Sequence, residues 1–287
     1  MIHFSPEKGM KIYLSDELKS YGHSYDESES FENNFMDLLS LRRRLPKAIP
    51  RIIIELKDFE IPPHMMSGYK EVCRKINFGI SIKPHLSRSI DNIKYNDLLL
   101  NSWNIHHLHL SSTPDNSGFV QRTGPVLFAM FFDNVVICID ILEHGRGHSD
   151  VWVNDRLIQR LHDYAPSVLE RMKVKNVSRE TYTSQQKLSL RKNHVNHIMS
   201  MSDNTNYHLM GLTASGHFIG DQFYMMNIRR EMDHLEELTQ LNESIVFEKL
   251  GLDLSQNLLL TFIIHEGKVR IYHLEKRTII NFNQPPQ

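Results

Sequence analysis

The chain reads as an α+β protein: an antiparallel sheet flanked by helices on one face, with an additional helical region and a small C-terminal sheet. Three observations predict this. Apolar residues recur at helical spacing in 32–45, 65–78 and 222–241, the mark of a helix with one buried side. Strand-like runs follow one another at 126–142 and again at 258–282, and consecutive strands joined by hairpins pair antiparallel. An earlier strand, 51–60, is reached through two helices and can pack beside the first group.

Composition bounds the rest. With 287 residues, 40% hydrophobic and 23% charged, the chain has a soluble globular composition and room for one large domain or two. A net charge of −1 excludes a uniformly basic, nucleic-acid-coating surface but leaves a local basic groove open. No apolar run approaches the roughly 20 residues that span a bilayer, so no membrane partner is expected. The first residues, with His3, Glu7 and Lys8, lack the apolar core of a secretory signal. Cys73 and Cys138 do not make a disulfide framework, and a cytoplasmic location is expected. Seventeen histidines are the groups best suited to proton transfer or metal binding near neutral pH.

Taken in order, 20–30 is polar and acidic, a loop by composition. Glu32 to Leu45 is a helix through Phe31, Phe35, Leu38 and Leu39. Its last turn carries Arg42, Arg43 and Arg44, which complement the helix dipole or form a phosphate-binding patch. Pro46 and Pro50 break the chain before the β-branched strand 51–60, which Pro62 and Pro63 close. Met65 to Phe78 is a helix stopped by Gly79, and Ile90 to Trp103 is another. A strand bearing His106, His107 and His109 follows. Val126 to Phe132 is apolar on both faces and therefore central; Asp133 and Asn134 turn it into Val135 to Leu142. Asp155 to Tyr164 is helical. Beyond it come a short strand at 172–177, a basic helix at 184–201, an irregular glycine-containing stretch at 207–220, the long helix 222–241 and three short strands. The domains expected are an N-terminal helical extension (1–50), the sheet domain (51–166) and a C-terminal region (167–287).

The order strand, helix, helix, strand, strand, strand, helix over 51–164, with a histidine strand, Arg122 at the entry to an apolar hairpin and His144 just past its last strand, resembles the RelE-type ribonuclease toxins of bacterial toxin–antitoxin systems. The resemblance implies a small sheet with helices on one face and RNA cleavage on the other. Separately, the line from Asn96 through Trp103 to Leu110 is similar to a motif of uncharacterised bacterial proteins and implies no activity.

Side chains alternate along a strand, so His107 and His109 share a face with Ile105, while His106 lies with Leu108 and Leu110. Metal-free RNA cleavage needs a base for the 2′-hydroxyl, an acid for the 5′-oxygen and a cation for the phosphorane. His107, His109 and His144 are the candidates for proton transfer and Arg122 for phosphate binding. Asp140, a carboxylate inside an apolar strand, needs a partner, and an imidazole partner would orient a catalytic histidine. The competing reading leaves Asp140 and the histidines on an uncovered, solvent-facing sheet side. A second alternative is a metal held by His107 and His109 with Asp140, His144 or His148. His109-Leu110-Ser111 matches one half of a two-histidine phosphoesterase pair whose second copy is not evident. Gly145 and Gly147 make a mobile turn or an anion cradle, and Arg191–His194 and Arg229–Arg230 are solvated helix faces or nucleic-acid contacts. The first expectation is therefore a ribonuclease of toxin or phage-defence type acting without cofactor or metal. RNA is its expected partner, with a protein antitoxin or effector, or a second copy, as further partners. The alternatives are a non-catalytic interaction or regulatory protein on the same scaffold, and a metal-dependent hydrolase.

Overall fold

The computed structural model describes residues 1–153, 155–178 and 181–281, except for the side chain of Ser149. In chain order the strands are β1 (Ile2–Phe4), β2 (Ile52–Glu55), β3 (His106–His109), β4 (Pro125–Phe131), β5 (Val135–Glu143), β6 (Lys173–Val174), β7 (Ile198–Ser200), β8 (Asn206–His208), β9 (Leu258–His265), β10 (Lys268–His273) and β11 (Thr278–Ile280). The helices are α1 (Pro6–Ser20), α2 (Phe31–Arg44), α3 (Met66–Asn77), α4 (Leu98–Trp103), α5 (Arg156–Tyr164), α6 (Ser184–Lys192), α7 (Ile219–Leu241) and α8 (Glu243–Leu250). The protein is α+β, with largely antiparallel sheets flanked by helices.

The chain divides into Met1–Leu39 with Gly220–Gln287, and Ser40–Ile219, where boundaries near 50 and 166 were expected. The reason lies at the N-terminus. Ile2, His3 and Phe4 pair in parallel with Leu258, Leu259 and Leu260, so the first residues complete the C-terminal sheet, β1-β9-β10-β11. Phe262 stacks on Phe4 with ring centroids 5.0 Å apart. The expected strand 278–282 is described as far as Ile280; Phe282 lies outside the described residues.

The unit 40–219 is built on a four-stranded sheet, β2-β5-β4-β3, in which β2 runs parallel to β5 and the other neighbours are antiparallel. The elements β2, α3, α4, β3, β4, β5, α5 follow in the order expected from the sequence. The expected helix 90–103 is shorter: Arg88–Asp91 is a 3₁₀ turn, and α4 begins only where Asp97 accepts hydrogen bonds from the N–H groups of Leu99 and Leu100. The expected helix 184–201 ends at Lys192 and gives way to β7, part of a second small sheet, β6-β8-β7.

One expectation is overturned. Helices were placed on a single sheet face, leaving the histidine face open, but both faces are covered. Leu108, Leu127, Val136 and Cys138 pack against Tyr69, Val72 and Ile76 of α3. Phe128, Met130, Ile137 and Ile139 pack against Leu157, Ile158 and Leu161 of α5. The apolar stripe of α5 has to be buried, and the side that carries the histidines is where it goes. A β-bulge completes the arrangement. Phe128 pairs with Asp140 but Ala129 with Cys138, so Ile139 is an extra residue. Before it, Val136 and Cys138 face α3; after it, Asp140 reaches Arg156 on α5.

Candidate functional site

Strand β3 arrives from α4, which Asn104 ends in the left-handed conformation (φ 56°), a backbone turn that asparagine tolerates. Helix α3 then seals the strand's far end. A Cβ built on Gly68 would lie 2.1 Å from the Leu110 carbonyl oxygen, so only glycine permits this approach. As a result all four residues of β3 are buried.

The alternation expected of the histidines is observed. His107 faces Phe128 and His109 faces Val126 across the β3–β4 ladder. The His107 ring meets the edge of Trp152, centroids 5.0 Å apart, and its Nδ1 lies 3.7 Å from Asp97 Oδ2. The backbone N–H of Thr123 donates to His109 Nδ1 at 3.2 Å, which places the His109 proton on Nε2. The His109 carbonyl accepts from His85 Nδ1 at 2.9 Å. On the opposite face His106 Nε2 donates to the Arg43 carbonyl at 3.2 Å.

Burial sets the charge state. Desolvation, together with the nearby His144, His107 and Arg122, pushes His109 down to about 3. Desolvation also takes His106 to about 4. His107 is lowered by burial as well, with Asp97 opposing the shift and His144, Arg122 and Arg191 adding to it. Burial disfavours the charged form of all three rings, and His107 and His109, 8% and 2% exposed, do not face solvent as the sequence suggested.

His144 differs. It is half-buried, just past β5, and its backbone N–H donates to the Gly124 carbonyl at 3.2 Å. Its Nδ1–H donates to the same carbonyl, so the proton sits on Nδ1 and Nε2 keeps its lone pair. The ring lies 5.2 Å from that of His109 and 6.0 Å from that of Trp152. Arg122 is exposed in the loop before β4, and its charge is felt by His107, His109 and Tyr95.

Asp140 is not an imidazole partner. It is 4% exposed, and its carboxylate takes Arg156 Nε at 2.6 Å and lies 3.6 Å from Arg160 Nε. It anchors α5 to the sheet. The structure therefore brings together His107, His109 and His144 within reach of the Arg122 charge, and assigns Asp140 elsewhere. Among the described residues no three His, Cys, Asp or Glu side chains are grouped as a metal site requires. Arg44, one of the three arginines ending α2, is interior and donates to the Asn92 and Ile93 carbonyls at 3.0 Å each, which occupies it structurally.

Two residues at the site, Asp97 and Trp152, were not singled out from sequence, and Arg191, expected on a solvated helix face or at a nucleic-acid contact, is turned inward. Asp97, the cap of α4, is the carboxylate that faces His107. Trp152 wedges between the rings of His107, Phe128 and His144. Arg191 donates to the Trp152 carbonyl, and burial lowers its guanidinium to about 10. An aspartate just before three leucines is a cap signal; nothing local marks Trp152. Tested against known protein families, curated proteins and solved structures, the chain has no match. Among the described residues no helix is long and apolar enough to cross a membrane.

Proposed function

We propose that the unit 40–219 is a metal-independent ribonuclease of RelE-like type, serving as a toxin or phage-defence effector, with His144 as its base and Arg122 as its phosphate ligand. The observation that carries this is the tautomer of His144: the Gly124 carbonyl takes its Nδ1 proton and leaves Nε2 to accept one from a 2′-hydroxyl. Attack of the 2′-oxygen on phosphorus breaks the bond to the 5′-oxygen, which takes a proton from water, and leaves a 2′,3′-cyclic phosphate. Arg122 offsets the charge on the phosphorane oxygens. His109 and Trp152 act as positioning residues that fix the His144 ring from two sides.

The test is RNA cleavage by the purified chain with a chelator present. Wild type cleaves, and His144→Ala loses activity by about 10²–10⁴-fold, the usual worth of a general base. Arg122→Ala lowers activity with folding intact. Intact RNA after prolonged incubation with wild type overturns the proposal.

A second reading, a non-catalytic interaction protein on the same scaffold, is favoured by the burial of His107 and His109 and by the use of Asp140 to anchor α5. Growth inhibition on expression in bacteria, relieved by His144→Ala, separates the two in the cell.

A further inference from the structure

The last turn of α6 carries Arg191, at a position where a cation ordinarily complements the helix dipole in solvent. Here the 3₁₀ turn Ser149–Val153 packs against α6, and the Trp152 carbonyl accepts from Arg191 Nη1. Among the described residues that is the only hydrogen bond the guanidinium makes, and no carboxylate there pairs with it. Asp97 acts on it only from a distance, since that carboxylate caps α4 and faces His107. Nε and Nη2 are therefore left with no acceptor. A buried cation without a counter-charge is costly, and desolvation accordingly takes this guanidinium down to about 10.

Arg191 lines a pocket of about 400 Å³, part of it open to solvent. The wall is largely apolar: Trp103 from the end of α4, Trp152, Met199 of β7, and Leu209 and Leu212 beyond β8. Both tryptophans of the chain are among these residues. The surrounding backbone is tied in place. His194, left-handed at φ 55°, follows α6 and leads the chain back towards β7. Asn196 spends both ends of its amide on Leu212, donating to the carbonyl and accepting from the N–H, each at 3.1 Å. The Met210 N–H donates to the Ser102 carbonyl at 3.0 Å. Apolar walls around a few placed polar groups are the usual form of a small-molecule site.

We propose that this pocket binds a small monocarboxylate, its carboxylate on Arg191 and its aromatic or aliphatic body against Trp103 and Trp152. The atoms left over on Arg191 fit that role. Nε and Nη2 are the pair that meets both oxygens of one carboxylate, as Arg74 Nε and Nη2 meet Glu71 at 2.8 and 2.9 Å in this same chain. One cation among apolar walls offsets one negative charge. A phosphate monoester brings close to two and leaves the second buried without a partner. The indole rings supply apolar contact for the rest of the molecule. The proposal does not depend on the ribonuclease reading.

The experiment titrates the full chain with phenylacetate. Tryptophan emission reads the pocket directly, because both indoles line it, and calorimetry gives the stoichiometry. Wild type binds one equivalent saturably. Phenylacetamide, similar in shape but uncharged, binds about ten- to a hundredfold more weakly, the worth of a charged hydrogen bond. Phenylphosphate also binds more weakly than phenylacetate. Arg191→Gln weakens phenylacetate by a similar factor and leaves phenylacetamide unchanged. The comparison of ligands is made on wild type, so it decides the question even where Arg191→Gln unfolds. Absence of saturable phenylacetate binding at millimolar concentration overturns the proposal, as does an amide or a phosphate that binds as tightly as the carboxylate. So does an Arg191→Gln chain that is folded by circular dichroism and binds phenylacetate like wild type.

Discussion

The two edge strands of one sheet, β2 and β3, distribute polarity in opposite senses. In β3 three of four residues are histidines and all are buried, His109 to 2%, whereas β2 is mostly isoleucine and Ile52 is 67% exposed. Hydropathy alone would put them the other way round. Cover decides instead. Strand β3 has α3 against one face, with Gly68 at contact distance, and Trp152 against the other. Strand β2 has α3 on one side of the sheet, while Ile52 and Ile54 extend past the cover that α5 provides. Inside β3 the Thr123 N–H donates to His109 Nδ1 and the Arg43 carbonyl accepts from His106 Nε2. His106 Nδ1 and His107 Nδ1 are buried without a hydrogen-bond partner among the described residues, and desolvation disfavours the charged form of all three rings.

The contrast is sharpest at a buried leucine. Leu108→Ala empties a fully enclosed site between α3 and the sheet and should destabilise the chain by about 2–5 kcal/mol. Urea denaturation measures this, and a loss near zero would mean that β3 is not the core strand described. Next comes acid. Folded His109 and His106 titrate at about 3 and about 4, below the ordinary 6.5 that they recover on unfolding. The unfolded chain therefore binds more protons below 6.5. Stability is full above that pH and declines as pH falls towards the folded values, by on the order of 1–2 kcal/mol per histidine near pH 5. Urea midpoints at neutral and mildly acidic pH test the sign; a midpoint that rises on acidification contradicts it. The smallest effect belongs to the exposed strand. Ile54→Ala, at a residue 45% exposed, should change the urea-derived stability by no more than about 0.5 kcal/mol.

Periodicity carried much of the fold. The order β2, α3, α4, β3, β4, β5, α5, the central position of β4 and the shared face of His107 and His109 all follow from which residues are apolar and how they alternate. What was not legible depends on contacts distant in sequence. The three residues of β1 are too few to signal a strand, and their partners lie at 258–260. The Ile139 bulge leaves no trace in an unbroken apolar run, yet it turns Asp140 from the parity of Val136 and Cys138 to the side of α5. The lysine- and histidine-rich 184–201 read as one helix because its polarity hid the switch to β7. At the site, histidines and Arg122 were visible as residue types, but their burial was not, because α5 and Trp152 supply it from later in the chain.

The parallel pairing of β1 with β9 bears on biosynthesis. On the ribosome Ile2, His3 and Phe4 are made long before Leu258 to Leu260, the residues that complete their sheet. The intervening 40–219 segment holds both of its own core clusters and can acquire its structure co-translationally, domains generally folding as units. The N-terminal segment must wait, and for that interval its apolar strand is a client for whatever shields unfinished chains.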